Sequence, residues 1–296
     1  MLRQHDIQDL VDRLERDGSH RVLRKLEVGE GRTGVPFSGG ETFIACVVDV
    51  ETTGLDVSRD VVIEMAMRRF RFDKQGRILK LDSCYSWFDD PGVPLSDEIA
   101  RLTGLTDAGL VGQHLDEESA CRLLKSSDLV IAHNAGFDRK FVERRLSEAA
   151  GLAWACSMSE IDWSAFGFEG RSLGWLGAQA GWFHDAHRAS GDVDAVIALL
   201  THVLPDGRTI LCELVERSAS PSMRIEALGA DYAVKDELRN RGYRWNPEGK
   251  IWWKDIPAAE LPDEEAWLGR TVYGFQCKPR ICAPRITEIT ARERYA

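Results

Sequence analysis

Residues 42–50, Thr-Phe-Ile-Ala-Cys-Val-Val-Asp-Val, form an almost unbroken apolar run rich in β-branched side chains. A run that short, with those residue types, predicts a buried strand. Residues 61–72 and 78–88 predict two further strands in a meander. Apolar positions then recur at helical spacing over 116–125 and 140–150, separated by the short buried run Leu129-Val-Ile-Ala132, and again over 193–203. Strands in a meander followed by alternating helix and strand imply an α/β fold, a mixed sheet with helices packed on it.

Outside this block the pattern changes. Ile7, Leu10, Val11 and Leu14 share one face of an amphipathic helix, which Gly18 ends. Residues 21–28 and the glycine-rich stretch 29–40, with Pro36, read as a flexible lead-in, so that residues 1–40 precede a first domain at 41–207. Arg217-Ser-Ala-Ser-Pro-Ser-Met223 has linker composition, and residues 208–222 are assigned to it. The remainder, 223–296, is expected to be a small α+β domain: a helix over 234–240, a stop at Gly242 and a hairpin turning at Pro247-Glu-Gly249. Its Tyr243, Trp245, Trp252 and Trp253 lie among Lys235, Arg239, Arg241, Arg244, Lys250 and Lys254. Those aromatics suit base stacking with phosphate contact, and equally a small core.

Length and charge narrow the classes. A chain of 296 residues with 44% hydrophobic content has enough material for more than one core. No stretch approaches the roughly 18 apolar residues of a membrane helix, and the first residues carry no apolar signal core, so no membrane partner and a cytoplasmic location are expected. Seven cysteines, at 46, 84, 121, 156, 212, 277 and 282, contain no Cys-x-x-Cys pair and read as reduced thiols. The net charge of −10 speaks against a nonspecific polyanion binder, unless several acids hold metal ions and so reverse the local field. Gly29-Glu-Gly-Arg-Thr-Gly34 matches G-x-G-x-x-G, but Val35-Pro36 cannot start the helix that a dinucleotide site needs, so it reads as a loop.

Candidate chemistry sits in three segments. On a strand, Asp49 and Glu51 point to one side while Val48 and Val50 point to the other. Two acids so close repel unless a cation lies between them. Asp138 ends the segment Leu129-Val-Ile-Ala-His-Asn-Ala-Gly-Phe-Asp138, and Asp192 ends His184-Asp-Ala-His187-Arg-Ala-Ser-Gly-Asp192. Each of these aspartates also suits a helix N-cap. Together, four acids and a histidine are the set that two-metal phosphodiester hydrolysis requires: carboxylates for two divalent ions about 4 Å apart and a base for the water's proton.

The pattern resembles the DEDDh (DnaQ-like) exonucleases of the RNase H-like fold, typified by the epsilon proofreading subunit of bacterial DNA polymerase III, over residues 42–205. The matching motifs are Val48-Asp-Val-Glu-Thr-Thr-Gly-Leu55, Ala132-His-Asn-Ala-Gly-Phe-Asp138 and His187-Arg-Ala-Ser-Gly-Asp192, with Leu102-Thr-Gly-Leu-Thr-Asp107 as a further common element. The resemblance implies that Asp49, Glu51, Asp138 and Asp192 hold two Mg2+ or Mn2+ ions and that His187, with four residues before Asp192, is the general base. The sister branch has a tyrosine with three residues between, and position 188 is arginine. Thr52 and Thr53 would meet the 3'-terminal nucleotide, Leu55 would wedge against its base, and Asn134 and Phe137 would line the cleft. The implied reaction removes nucleotides from single-stranded 3' ends of DNA as nucleoside 5'-monophosphates. An exoribonuclease using the same residues and a nucleic-acid-binding adaptor without catalysis are the alternatives; no C-terminal feature ties the chain to a polymerase. Glu64 is expected to be a structural acid, His184 a loop residue, His133 a turn former and Asp194 a solvated helix residue.

Overall fold

A computed structural model describes residues 4–16, 18–37, 39–274 and 283–296; Cys277 and Cys282 lie outside them. The chain divides into two compact units, Met1–Val215 with Tyr295–Ala296, and Glu216–Arg294.

In the first unit, helix α1 (Gln4–Glu15) precedes the short strands β1 (Arg24–Lys25) and β2 (Gly31–Arg32). The meander is β3 (Thr42–Thr52), β4 (Val62–Asp73) and β5 (Ile78–Phe88). Helices α2 (Asp97–Thr103), α3 (Asp107–Leu110) and α4 (Glu117–Lys125) lead to β6 (Leu129–Ala132), α5 (Ala135–Arg145) and β7 (Trp154–Cys156). Then follow α6 (Leu173–Ala180), β8 (Trp182–Phe183), α7 (Ala189–Leu200) and α8 (Ile210–Ala219). Six strands form one sheet in the order β2-β5-β4-β3-β6-β7. The meander strands pair antiparallel, whereas β6 and β7 run parallel to β3. This is the RNase H-like mixed sheet flanked by helices that the pattern predicts.

The strand period of two sorts β3 between two cores. Ala45 and Val47 pack with Val193, Val196 and Ile197 of α7 and with Ile210, Leu211 and Leu214 of α8. Cys46, Val48 and Val50 pack with Leu123 and Leu124 of α4 and Phe141 and Val142 of α5. With both faces covered, β3 has no polar face until its end, where Asp49 and Glu51 follow Val47 on the α7 side. All five described cysteines are free, and burial pushes the Cys46 thiol up to about 12.

Three expectations are corrected. Helices α5 and α7 begin at Ala135 and Ala189, a full turn before the positions read from periodicity. Gly136 and the Ser190-Gly191 pair weaken the helical pattern there. Asp138 and Asp192 are therefore not N-caps: each is the fourth residue of its helix. Residues 208–222, read as a linker, contain α8, whose Ile210, Leu211 and Leu214 are buried. The lead-in is also tied down. Gly31 and Arg32 pair with Leu81 and Lys80 of β5, and Arg24 and Lys25 pair with Trp182 and Phe183 of β8.

One buried cation fastens this lead-in. Arg68 on β4 donates to the carbonyls of Val28, Gly29 and Asp82 and to Asp194 Oδ1 at 2.7 Å. Asp194 is consequently a partly buried ion-pair partner rather than a solvated helix residue, and burial raises its pKa against the pull of Arg68. Replacing Arg68 by Leu should cost about 3 kcal/mol in urea unfolding, because three carbonyls and a carboxylate lose their donor. Arg68→Leu with Asp194→Asn should recover part of that loss, and additive costs in the double variant would refute the coupling.

The second unit is a four-stranded antiparallel sheet, in the order β10-β11-β9-β12, built from β9 (Ser222–Glu226), β10 (Arg244–Asn246), β11 (Ile251–Pro257) and β12 (Arg285–Ile289). Helices α9 (Lys235–Asn240) and α10 (Leu261–Thr271) supply Leu238 and Leu268 to its core beside Ile225, Tyr243 and Ile256. Gly242 follows α9 with φ 93°, and Asn246 Oδ1 accepts from the N–H groups of Glu248 and Gly249 to close the hairpin. Among the described residues no helix is long and apolar enough to cross a membrane.

Candidate functional site

Asp49 and Glu51 stand near the carboxyl end of β3, beside Asp138 in the first turn of α5 and Asp192 in the first turn of α7. Oxygens of Asp49, Glu51 and Asp192 all lie within 4.8 Å of one another. Asp138 is 3% exposed, and its Oδ1 accepts from the N–H of Val50 at 3.3 Å, which ties α5 to the strand between the two acids. Glu64 pairs directly with Glu51 across the β3–β4 ladder, and the ladder shifts register just after this pair. Glu64 is fully buried and accepts from Ser86 Oγ at 2.9 Å and Arg188 Nε at 3.3 Å, the structural role expected of it.

Burial raises the pKa values of Asp49, Glu51 and Asp138, and neighbouring acids add to it. Burial, then the charges of Asp138, Asp192 and Glu51, holds Asp49 well above the carboxylate range. Burial, with Asp192, Glu64 and Asp138, pushes Glu51 up to about 8, while Arg188 pulls it down. Burial lifts Asp138 to about 7 despite the Val50 N–H. Acids that make one another this costly to ionise are balanced by a bound cation, and hard oxygen donors in this density fit a divalent metal ion.

The sign of a pH effect follows. In the unfolded chain these carboxyls titrate near pH 4, whereas in the folded protein Asp138 and Glu51 keep their protons to about 7 and about 8. Between those limits the folded state binds more protons, so stability falls as pH rises. Melting of EDTA-treated protein should therefore drop by several degrees between about pH 5 and pH 8, and Mg2+ or Mn2+ at the upper pH should reverse the drop. A flat profile would contradict the coupling.

The turn after β3 is shaped by a residue that the motif does not contain. Asp60 Oδ1 accepts from Thr53 Oγ1 at 3.2 Å, and its Oδ2 accepts from Asp56 N at 2.8 Å. A Cβ at Gly54 would stand 2.5 Å from the same carboxylate, so only glycine lets Asp60 close under the turn. Thr52 is buried with its hydroxyl on Gly54 O, and Leu55 is left 86% exposed. Asn134 caps α5 without a side-chain cap bond and is exposed, and Phe137 packs on Phe141 with ring centroids 4.8 Å apart. His133 donates from Nε2 to Arg171 O at 2.7 Å, which leaves Nδ1 to accept from Ser157 Oγ at 2.9 Å; it braces the turn into α5.

The two histidines before α7 are placed differently from each other. His184, read as a loop residue, has its Nε2 on Asp192 Oδ1 at 2.8 Å, with a side chain 5% exposed. His187 is exposed, with φ 61°. The loop that carries both is strapped from the lead-in: Leu26 N donates to Phe183 O at 2.8 Å, and Lys25 Nζ to Asp185 Oδ2 at 2.6 Å. It also lies close over α7, since a Cβ at Gly191 would meet Asp185 O at 2.9 Å. Spacing to Asp192 favours His187 and gives no hint of the His184 contact, which depends on this fold-back.

Comparison with known proteins agrees with this geometry. A DNA polymerase III PolC-type protein of Listeria monocytogenes is 38% identical over 130 residues, which cover 41% of this chain and 9% of that protein. The DNA polymerase III subunit epsilon of Aquifex aeolicus is 33% identical over 112 residues, covering 37% of this chain and 52% of that one. The chain thus matches only part of the length of these curated relatives. Among solved structures, E. coli exonuclease I in complex with a dA16 oligonucleotide aligns at 15% identity and a TM-score of 0.46, over 85% of this chain and 64% of that one. The family model described as Exonuclease (RNase_T) matches residues 46–200, which include all four clustered acids and both histidines, and the chain belongs to this DnaQ-like exonuclease family.

Proposed function

We propose that the first unit hydrolyses nucleotides one at a time from the 3' end of single-stranded DNA, releasing nucleoside 5'-monophosphates. The observation that carries this reading is the convergence of Asp49, Glu51 and Asp192 oxygens within 4.8 Å, with Asp138 beside them. Membership of the exonuclease family supports the reaction class, and the DNA polymerase III relatives support DNA as the substrate.

The four acids are the proposed holders of two divalent ions. When bound, Mg2+ or Mn2+ would supply Lewis-acid chemistry at the scissile phosphate. The chain's own groups do the rest. Val50 N–H fixes one oxygen of Asp138, and His184 fixes one of Asp192. His187, on the exposed loop, is the proposed base that takes the attacking water's proton. Backbone groups at Thr52 and Thr53 receive the terminal nucleotide, Leu55 wedges against its base, and Asn134 and Phe137 line the same cleft.

The test is degradation of 5'-labelled single-stranded DNA and RNA of one sequence, with Mg2+, Mn2+ or EDTA. Stepwise shortening that needs a divalent ion and yields nucleoside 5'-monophosphates supports the proposal. Shortening of RNA alone would make the chain an exoribonuclease, and cleavage in EDTA would overturn the metal role of the acids.

A further inference from the structure

In the second unit the sheet face opposite Ile225 and Ile256 is polar in its middle rows, while Ile251 and Ile289 at its ends are buried. Ile225, Ile256 and Tyr243 point to the side covered by α9 and α10, with Trp252 and Ile286 packed beside them. The alternate residues face the other way, and one row crosses all four strands: Arg244 pairs with Trp253, Trp253 with Glu226, and Glu226 with Arg285. The next row is Asp255, Arg224 and Thr287. Trp253 is absent from the apolar cluster. Two cations stand near its ring instead, with Arg224 Cζ 4.8 Å and Arg244 Cζ 5.6 Å from the centroid.

The charges on this face are arranged unequally. Arg224 is held by Asp255 through two bonds of 2.8 Å, which fixes its guanidinium plane over the indole. Arg285 pairs with Glu226. Arg244 is exposed and makes no ion pair among the described residues. The unit as a whole carries fourteen Lys and Arg against thirteen Asp and Glu, whereas the full chain stands at −10. The net negative charge therefore lies in the first unit, and the second unit presents no net repulsion to a polyanion.

We infer that this face binds single-stranded nucleic acid, with a base stacked on the Trp253–Arg224 platform and a phosphate at Arg244. An indole and a fixed guanidinium offer flat surfaces that stack with any base, and an unpaired arginine beside them suits the backbone. Unpaired bases are needed, because duplex stacking hides their faces from a flat sheet. The inference does not depend on the catalytic assignment.

The experiment is fluorescence anisotropy of the full chain, in an Asp49→Asn background that preserves the probe, with labelled 20-mers of single-stranded DNA, single-stranded RNA and duplex DNA. Trp253→Ala should weaken binding of both single strands about tenfold, and Trp253→Phe should retain most of it. Arg244→Ala should lower the slope of log Kd against log salt by about one. Equal losses on DNA and RNA fit stacking alone, and a larger loss on one names the sugar that the face prefers. Unchanged Kd in both Trp253→Ala and Arg244→Ala, with melting curves like the parent's, would overturn the inference and leave the face to a protein partner. Hydrolysis of a p-nitrophenyl mononucleotide ester, measured with Asp49 intact, should be unaffected by Trp253→Ala, which separates this surface from the catalytic centre.

Discussion

Asp49→Asn should abolish most cleavage while making the metal-free protein more stable. The substitution keeps the shape of the side chain and removes a carboxyl that burial first, then the charges of Asp138, Asp192, Glu51 and Glu64, makes costly to ionise. Folding of the parent at about pH 8 must keep a proton on a carboxyl that is ionised in the unfolded chain, and the asparagine escapes that cost. The EDTA-treated variant should therefore melt several degrees above the parent at about pH 8, with the gain shrinking toward about pH 5. The same change deprives the proposed metal site of a ligand shared by the cluster. If that ligand's contribution to the transition state is about 4 kcal/mol, the rate falls on the order of 10^3-fold. Activity and stability moving in opposite directions is the signature of an acid kept for chemistry at the expense of the fold. Cleavage at the parent's rate would remove Asp49 from the site. A loss of both activity and stability would make it a structural residue instead.

The sheet was legible because β3 announces itself: eight of the nine residues 42–50 are apolar or β-branched, and such a run in a chain of this polarity reads as a buried strand. The pairing of Asp49 with Glu51 on one side follows from strand geometry alone, and the α7-side packing of Ala45 and Val47 confirms which side that is. Helix starts were less visible. Gly136, Ser190 and Gly191 have low helix propensity, so the first turns of α5 and α7 look like loop and both aspartates look like caps. The contacts that order the site were invisible for a different reason. Asp60 under the Thr53–Gly54 turn, Arg68 on the lead-in carbonyls and His184 on Asp192 join residues 7, 39–40 and 8 positions apart through backbone paths that carry no periodic signal. Motif spacing records which side chains a reaction needs, whereas the groups that hold them are chosen by where the backbone happens to pass.

His187→Ala should cost far more activity than His184→Ala, although His184 is the histidine hydrogen-bonded to a clustered acid. His184 is enclosed: its Nε2 is on Asp192, its ring meets Trp182 edge-on at 5.9 Å, and its side chain is 5% exposed. A ring so placed can orient Asp192 but has no path to a water at the phosphate. Losing an orienting partner of this kind typically costs about 10- to 100-fold in metal affinity or activity, read as a metal-activation curve shifted to higher concentration. His187 is exposed on the strapped loop and sits at φ 61°, a left-handed backbone that a histidine adopts only when the surrounding loop requires it. As the proposed base, its removal should lower kcat by about 10^2- to 10^4-fold with little change in KM. His184→Ala should keep most of its kcat once metal is saturating. Rates of both variants across Mn2+ concentration separate the roles. If at saturating Mn2+ His184→Ala loses the rate and His187→Ala keeps it, the base is the enclosed histidine, and the loop must open to let water reach it.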